Sequence, residues 1–192
     1  MNDCNEKRPL PVITSIEGWM TERELRYLCE MAYGNDVLEV GTFLGRSTIN
    51  MLRYAKKLIS IDHFKGNPKD IAIDVVQEIE RGGSTLWQQF LHRLAEYDIK
   101  DTEFVLMKMD SAKASMFLGA SAFDFVFIDG GHEYDDVRKD IANFKGHVAA
   151  GGVLAGHDYY MDGNFPGVRK AVDEAIGQPD EVVDTIWVKK MR

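Results

Sequence analysis

The chain has 192 residues, 45% hydrophobic and 28% charged, with 23 Lys and Arg against 31 Asp and Glu and a formal net charge of −8. These are globular values, and the acidic balance argues against nonspecific nucleic-acid binding, which needs a basic surface. Two cysteines (Cys4 and Cys29), no apolar run near the ~20 residues of a membrane span and no signal-peptide core lead to an expectation of a soluble, cytoplasmic protein.

Residues 1–15 read as a polar N-terminal tail in which Pro9 and Pro11 disfavour helix, and residues 16–192 read as a single domain. Thr21 followed by Glu24 is a capping box, and Leu25, Leu28, Met31 and Ala32 recur at helical spacing, so a helix is predicted over residues 21–33. The chain then alternates. Short, largely apolar runs read as buried strands at Val37–Val40, Leu58–Ile61, Phe104–Met107, Asp124–Ile128 and Gly152–Ala155. Between them lie helical patterns at Ser47–Tyr54, Ser84–Tyr97, Ala112–Leu118 and Tyr134–Val148. The long connection Phe64–Ser84 is expected to hold a helix over Asp70–Glu80 and to serve as a lid over a strand end. Phe165–Val168 opens a last helix with Pro166 in its first turn, and Glu181–Lys190 forms a final strand or tight hairpin. The alternation predicts a doubly wound α/β fold: a mostly parallel, Rossmann-like sheet of about seven strands with helices on both faces.

The most informative stretch is Glu39-Val40-Gly41-Thr42-Phe43-Leu44-Gly45-Arg46-Ser47-Thr48. A strand ends, two glycines bracket a short loop, and Ser47 can open a helix. Gly41 permits close approach of a ligand to the backbone, and free N–H groups at a helix start attract a carboxylate or phosphate. About 20 residues on, Asp62 ends the next strand, where an acidic side chain can bind ribose hydroxyls. His63 follows it and would lie near a cofactor. A G-x-G-x-x-G dinucleotide fingerprint is not met, because Phe43 stands where a central glycine would. Read without a ligand, the loop is an ordinary strand–turn–helix joint.

The second signal is Phe123–Tyr134, where an apolar strand ends in Asp129, two glycines follow, and then His132. The next strand ends in His157-Asp158. Neighbouring strands would aim these groups into one cleft at the carboxyl edge of the sheet. Asp129, His157 and Asp158 are the candidate metal ligands, for Mg²⁺ or another divalent cation that would bind substrate oxygens and acidify a hydroxyl. His132 is the candidate base, with Asp129 as its catalytic neighbour. Without function, such residues would cap backbone groups in loops. Asp135, Asp136 and Asp140 read as structural charges on the following helix. Trp87, Phe90 and Leu94 read as core, and Tyr159–Met161 as a wall of an acceptor pocket.

Glu39–Thr48 together with Asp62 resembles the cofactor end of class I S-adenosylmethionine-dependent methyltransferases, with glycine spacing closest to the catechol O-methyltransferase-like branch. The pattern Asp129, Gly130, His132, Tyr134, Val137 and Asp140 is similar to that of macrocin- and mycinamicin-type sugar O-methyltransferases and cephalosporin-hydroxylase-like methyltransferases. Glu17–Thr21 and Thr185–Val188 extend the likeness over most of residues 16–190. The resemblance implies S-adenosylmethionine as cofactor. Gly41 and Phe43 would pack along its methionine part, and Glu39, Thr42 and Gly45 of the same loop would also be cofactor-binding. Ser47 would meet its carboxylate, and Asp62 would lie at its ribose, with His63 near the cofactor. Asp110 and Ser111 would border the adenine, and Asp129 would also be cofactor-binding. It further implies that Asp129 and Asp158 are metal ligands and His132 the base. The chain departs from the family at His157, where members carry an acidic residue, and this alters the charge of a metal site. The implied partner is a small hydroxylated acceptor rather than nucleic acid or membrane, and a homo-oligomer would suit so small a domain. Two other functions fit the fold: a SAM-binding module without catalysis, and a nicotinamide-dependent oxidoreductase, which lacks support in the glycine spacing and in any Tyr-x-x-x-Lys placed for catalysis.

Overall fold

The computed structural model describes residues 11–67, 72–97, 99 and 102–192. The sheet order is β3-β2-β1-β4-β5-β7-β6 among the described residues. Its strands are β1 (Asp36–Val40), β2 (Lys57–Ile61), β3 (Glu103–Met107), β4 (Phe123–Ile128), β5 (Val148–Gly156), β6 (Glu181–Val183) and β7 (Ile186–Lys190). The first five pair in parallel, while β7 runs antiparallel to both β5 and β6. The doubly wound expectation is met, and the C-terminal segment takes the hairpin form.

Alternation along the strands divides the core. Leu38, Val40, Val126, Ile128 and Leu154 face α6 (Tyr134–Phe144) and α7 (Pro166–Ile176), with α5 (Ser111–Ser115) at the margin. Val37, Phe125, Phe127 and Ala155 face α1 (Glu22–Ala32) and α2 (Arg46–Leu52). A third cluster joins Leu44, Ile49, Val76 and Phe90, seating α3 (Ile73–Arg81) and α4 (Leu86–Glu96). Among the described residues no helix is long and apolar enough to cross a membrane.

Several boundaries differ from the sequence reading for local reasons. β5 starts four residues earlier, at Val148, which pairs with Phe123 before a register shift. The Ala149-Ala150-Gly151 run there has none of the branched or aromatic residues that signal a strand. α5 stops at Ser115, leaving Met116 and Phe117 exposed on a turn. α6 ends at Phe144 and tightens into a 3₁₀ turn through Lys145–His147. The helix expected over Asp70–Glu80 is present as Ile73–Arg81, and its first residues lie outside the described ones. Of the expected tail, residues 1–10 are likewise outside. Residues 11–14 lie along α2: Asn50 bonds both backbone groups of Ile13, and Arg53 and Tyr54 donate to the Pro11 carbonyl.

Gly156, the last residue of β5, is a packing requirement. A Cβ there would lie 2.5 Å from Cζ2 of Trp187 and 2.6 Å from the Ile128 carbonyl oxygen. Trp187 is fully buried and Ile128 is backbone, so neither can yield cheaply. Gly156→Ala should therefore cost about 2 kcal/mol or more of stability in urea unfolding. Trp187→Phe in the same chain should return part of that loss, and a G156A variant as stable as the parent would contradict this packing.

Candidate active site

A cleft of about 530 Å³ opens at the C-terminal ends of β1, β2, β4 and β5. The glycine loop forms its floor. Gly41 has φ +96°, and a Cβ on it would fall 1.9 Å from the Asp129 carbonyl oxygen, so the exits of β1 and β4 touch here. Phe43 takes a left-handed φ of 48°. Asp62 holds this conformation: its Oδ2 accepts from the N–H groups of Thr42 and Phe43, both at 2.9 Å. His63 lines the cleft beside it, its Nδ1 accepting from the Lys65 N–H.

Two loop residues sit elsewhere than the resemblance implied. Glu39 is fully buried on the α1/α2 side of the sheet and does not line the cleft. Its carboxylate accepts from the hydroxyls of Ser47, Thr48 and Ser60 at 2.5–2.7 Å. Burial pushes its pKa up to about 7, against those three bonds and with Asp129 adding. Glu39 thus braces the loop from behind. Gly45, the N-cap of α2 at φ +88°, faces Phe90 of α4, 2.9 Å from where its Cβ would be, and also lies off the cleft. Ser47 does line the cleft, but its hydroxyl hydrogen goes to Glu39.

Asp110 and Ser111 close the far end, after β3. Asp110 is the N-cap of α5, its Oδ1 accepting from the Lys113 N–H at 3.3 Å. The Ser111 hydroxyl donates to Asp140 Oδ1 at 2.7 Å. Asp140, read from the sequence as a structural charge, is buried yet lines the cleft. Burial raises its pKa to about 6 against the Ser111 bond.

At the other end, β4 and β5 deliver the acid–imidazole group. His132 Nε2 lies 3.0 Å from Asp158 Oδ2 and 3.5 Å from Asp129 Oδ1. Its ring stacks on Phe165 at 4.3 Å between centroids. Asp158 has φ 66°, a left-handed backbone uncommon outside glycine, asparagine and aspartate. Burial opposes ionisation of Asp158, but bonds and charge from His132 and His157 outweigh it and hold its pKa well below the usual range. Donor atoms of Asp129, His132 and Asp158 all lie within 4.8 Å of one another, a spacing that suits a cation.

His157 corrects the expected ligand set. Its Nδ1 lies 3.2 Å from Asp158 and 3.7 Å from Asp129, while its Nε2 lies 3.3 Å from Glu24 Oε1. Burial alone would lower its pKa, but the three carboxylates raise it well above 6.5. An imidazolium with carboxylates at both nitrogens has no lone pair for a metal. His132, read from the sequence as the base alone, takes its place in the grouping.

Glu24 is the residue sequence reasoning missed. Its carboxylate completes the α1 capping box with Thr21 and also accepts from the Thr185 N–H and hydroxyl, between β6 and β7. The sequence signals only the capping box. Arg46 was missed as well: its guanidinium donates to the carbonyls of Thr14, Ile16 and Met20. That holds Glu17–Met20 against the cleft, with Trp19 packed 5.7 Å from Phe43.

Residues 38–159 match the model of a family described as a methyltransferase domain. The chain belongs to this methyltransferase family. Solved structures share the fold at low identity. A protein from Corynebacterium glutamicum is 16% identical, with 90% of this chain and 82% of that one covered, at TM-score 0.60. The O-methyltransferase NovP is 16% identical, covering 88% and 79%, at TM-score 0.58. An rRNA methylase from Streptococcus thermophilus is 14% identical, covering 91% and 100%, at TM-score 0.57. Within the methyltransferase domain, the glycine loop, Asp62, Asp129, His132 and Asp158 all fall inside the matched span, while Glu24 precedes it.

Burial pushes Glu24 up, but the contacts with His157, Thr21 and Thr185 prevail and hold its pKa at about 2, below the ordinary 4.5. Its ionised form therefore contributes stability in full above pH 4.5 and loses it as pH falls toward 2. Glu24→Gln should be less stable than the parent by about 3 kcal/mol at pH 7, because it leaves a buried imidazolium short of a partner. Between pH 4.5 and 2 the parent should lose stability more steeply than the variant. Equal slopes in urea unfolding across that window would contradict the Glu24–His157 pairing.

Proposed function

We propose that this methyltransferase domain binds S-adenosylmethionine across the ends of β1, β2 and β3 and transfers its methyl group to a hydroxyl of a small molecule. The fold alone does not choose the acceptor, since an O-methyltransferase and an rRNA methylase share it. Support for a small acceptor comes from the net charge of −8 and from the aromatic side chains of Trp19 and Phe165 that line the cleft. O-transfer and kinship with the macrocin-type group rest on the Asp129-Gly130-x-His132 pattern.

The observation that carries the reading is the His132–Asp158 contact in the same cleft as the Gly41 loop. S-adenosylmethionine supplies an electrophilic methyl on a sulfonium. An acceptor oxygen forms a bond to that carbon as the carbon–sulfur bond breaks, and the electron pair stays on sulfur as the thioether. The acceptor's proton passes to His132. The imidazolium so formed holds its Nε2 proton against Asp158 Oδ2, and Phe165 fixes the ring plane. Asp158 acts as an orienting and charge-stabilising partner, the part a carboxylate plays behind a catalytic histidine. Alignment of donor and acceptor in the cleft supplies the rest.

A second reading uses the same three side chains as a cation site. Two carboxylates and one imidazole suit a divalent ion, which would be held by Asp129, His132 and Asp158 and would lower an acceptor hydroxyl's pKa. The His157 imidazolium already offsets part of the carboxylate charge there, which favours the metal-free reading.

Methyl transfer from labelled S-adenosylmethionine to a panel of phenols and sugar hydroxyls tests both. His132→Ala should lower kcat by about 10²-fold or more with cofactor affinity within about threefold. Chelator-treated parent enzyme should keep its turnover. Undiminished turnover in H132A would sink the base role. Turnover lost to chelator and restored by Mg²⁺ would replace the base with the cation site.

A further inference from the structure

His157 joins the base in the cleft to residues far outside it. Its Nε2 lies 3.3 Å from Glu24 Oε1, and its Nδ1 lies 3.2 Å from Asp158 Oδ1. The other oxygen of Asp158, Oδ2, lies 3.0 Å from His132 Nε2. Carboxylate and imidazole thus alternate from Glu24 on α1 to His132. The methyl-transfer scheme uses only the last two of the four. His132 is the member an acceptor can reach: its side chain is 20% exposed, against 7% for Asp158, 8% for His157 and 1% for Glu24. The buried members act through it.

The far end of the row is anchored twice to one residue. Glu24 Oε1 accepts from the Thr185 N–H at 2.9 Å and from its hydroxyl at 2.7 Å, while Oε2 accepts from the Thr21 N–H at 2.7 Å. The Thr185 carbonyl accepts from the Tyr159 N–H at 2.9 Å, so the backbone just after Asp158 is tied to the same hairpin turn. Glu24 therefore cannot swing without breaking both the α1 capping box and its bonds to Thr185. Asp158 needs such an anchor. The last torsion of an aspartate is broad and roughly twofold, so nothing in the residue itself keeps one oxygen toward His132. The contact of Oδ1 with His157 does.

We propose that Glu24 and His157 are positioning residues for His132: Glu24, anchored through Thr185, fixes the His157 ring, and the ring holds Asp158 with Oδ2 toward the base. The row sets an orientation and moves no proton along itself. Its consequence for turnover rests on the methyl-transfer reading above, whereas the placement of the His132 ring does not.

Two readouts on the chelator-treated full chain at neutral pH test this. One is the nitrogen-edited NMR spectrum of the histidine rings, in which the Nε2–H of His132, shielded by Asp158 from exchange, should give a resonance that H132A removes. The other is kcat on the phenol and sugar panel, set beside S-adenosylhomocysteine affinity, which counts folded sites. His157→Phe keeps a ring without either nitrogen. It should lose the resonance and lower kcat by about tenfold or more, with that affinity within about threefold. His157→Asn returns an amide N–H near the place of Nδ1 and should recover the resonance. Thr185 does not line the cleft. Thr185→Val removes one bond to Glu24 and should broaden the resonance and lower kcat by about threefold or more, while Thr185→Ser matches the parent. This pair decides the matter if H157F does not fold. A resonance absent from the parent, unchanged in H157F or T185V, or lost alike in H157F and H157N would overturn the positioning. So would an unchanged kcat in H157F or T185V when the parent turns over. A parent without turnover whose resonance responds as expected would remove the methyl-transfer reading alone.

Discussion

The candidate site depends on one buried imidazole. His157 stands at the end of β5 with Glu24 on one side and Asp129 and Asp158 on the other. Three carboxylates packed this closely would repel one another, and burial would drive protons onto Glu24 and Asp158. A protonated ring between them lets these two remain ionised. It also ties three remote parts of the chain together, since Glu24 belongs to α1 and bonds Thr185 in the hairpin. The left-handed backbone of Asp158 follows from this arrangement: its carboxylate must serve His157 through Oδ1 and His132 through Oδ2.

A second brace works behind the glycine loop. Glu39 gathers three hydroxyls from α2 and β2, and Asp62 takes two loop N–H groups from the front. The loop is thus held from both faces before any ligand arrives, which is what an electrostatic or positioning site requires. The close approach of Gly41 to the Asp129 carbonyl joins this brace to the acid–imidazole group, so cofactor end and reaction end share one rigid edge.

Much of this was legible in the sequence, and the reasons differ by element. Parallel strands buried on both faces are mostly apolar, so Val37–Val40, despite Glu39, and Asp124–Ile128, despite its first residue, announced themselves. The start of β5 did not, because alanine and glycine carry no strand signal. Strand-end residues such as Asp62, Asp129 and Asp158 could be placed at the sheet edge from periodicity alone. The direction a side chain faces could not. Adjacent His157 and Asp158 suggested two ligands, yet the ring of His157 is turned between carboxylates. Glu39 and Gly45 were assigned to the cleft by their motif, yet strand alternation puts Glu39 on the opposite face and Phe90 claims the space beside Gly45. The roles of Glu24 and Asp140 come from contacts with residues far away in the chain, His157 and Thr185 for the first and Ser111 for the second, which no local pattern records.

The measurement closest to the central claim is a calorimetric titration of chelator-treated protein with S-adenosylmethionine and S-adenosylhomocysteine, alongside Asp62→Ala. A preformed cleft for this cofactor predicts saturable binding of both compounds by the parent at micromolar concentrations. It predicts affinity at least about tenfold weaker in D62A, whose loop N–H groups lose their acceptor. Absence of binding by the parent, at concentrations where the protein is folded, would contradict the claim that this edge of the sheet is a methyl-donor site.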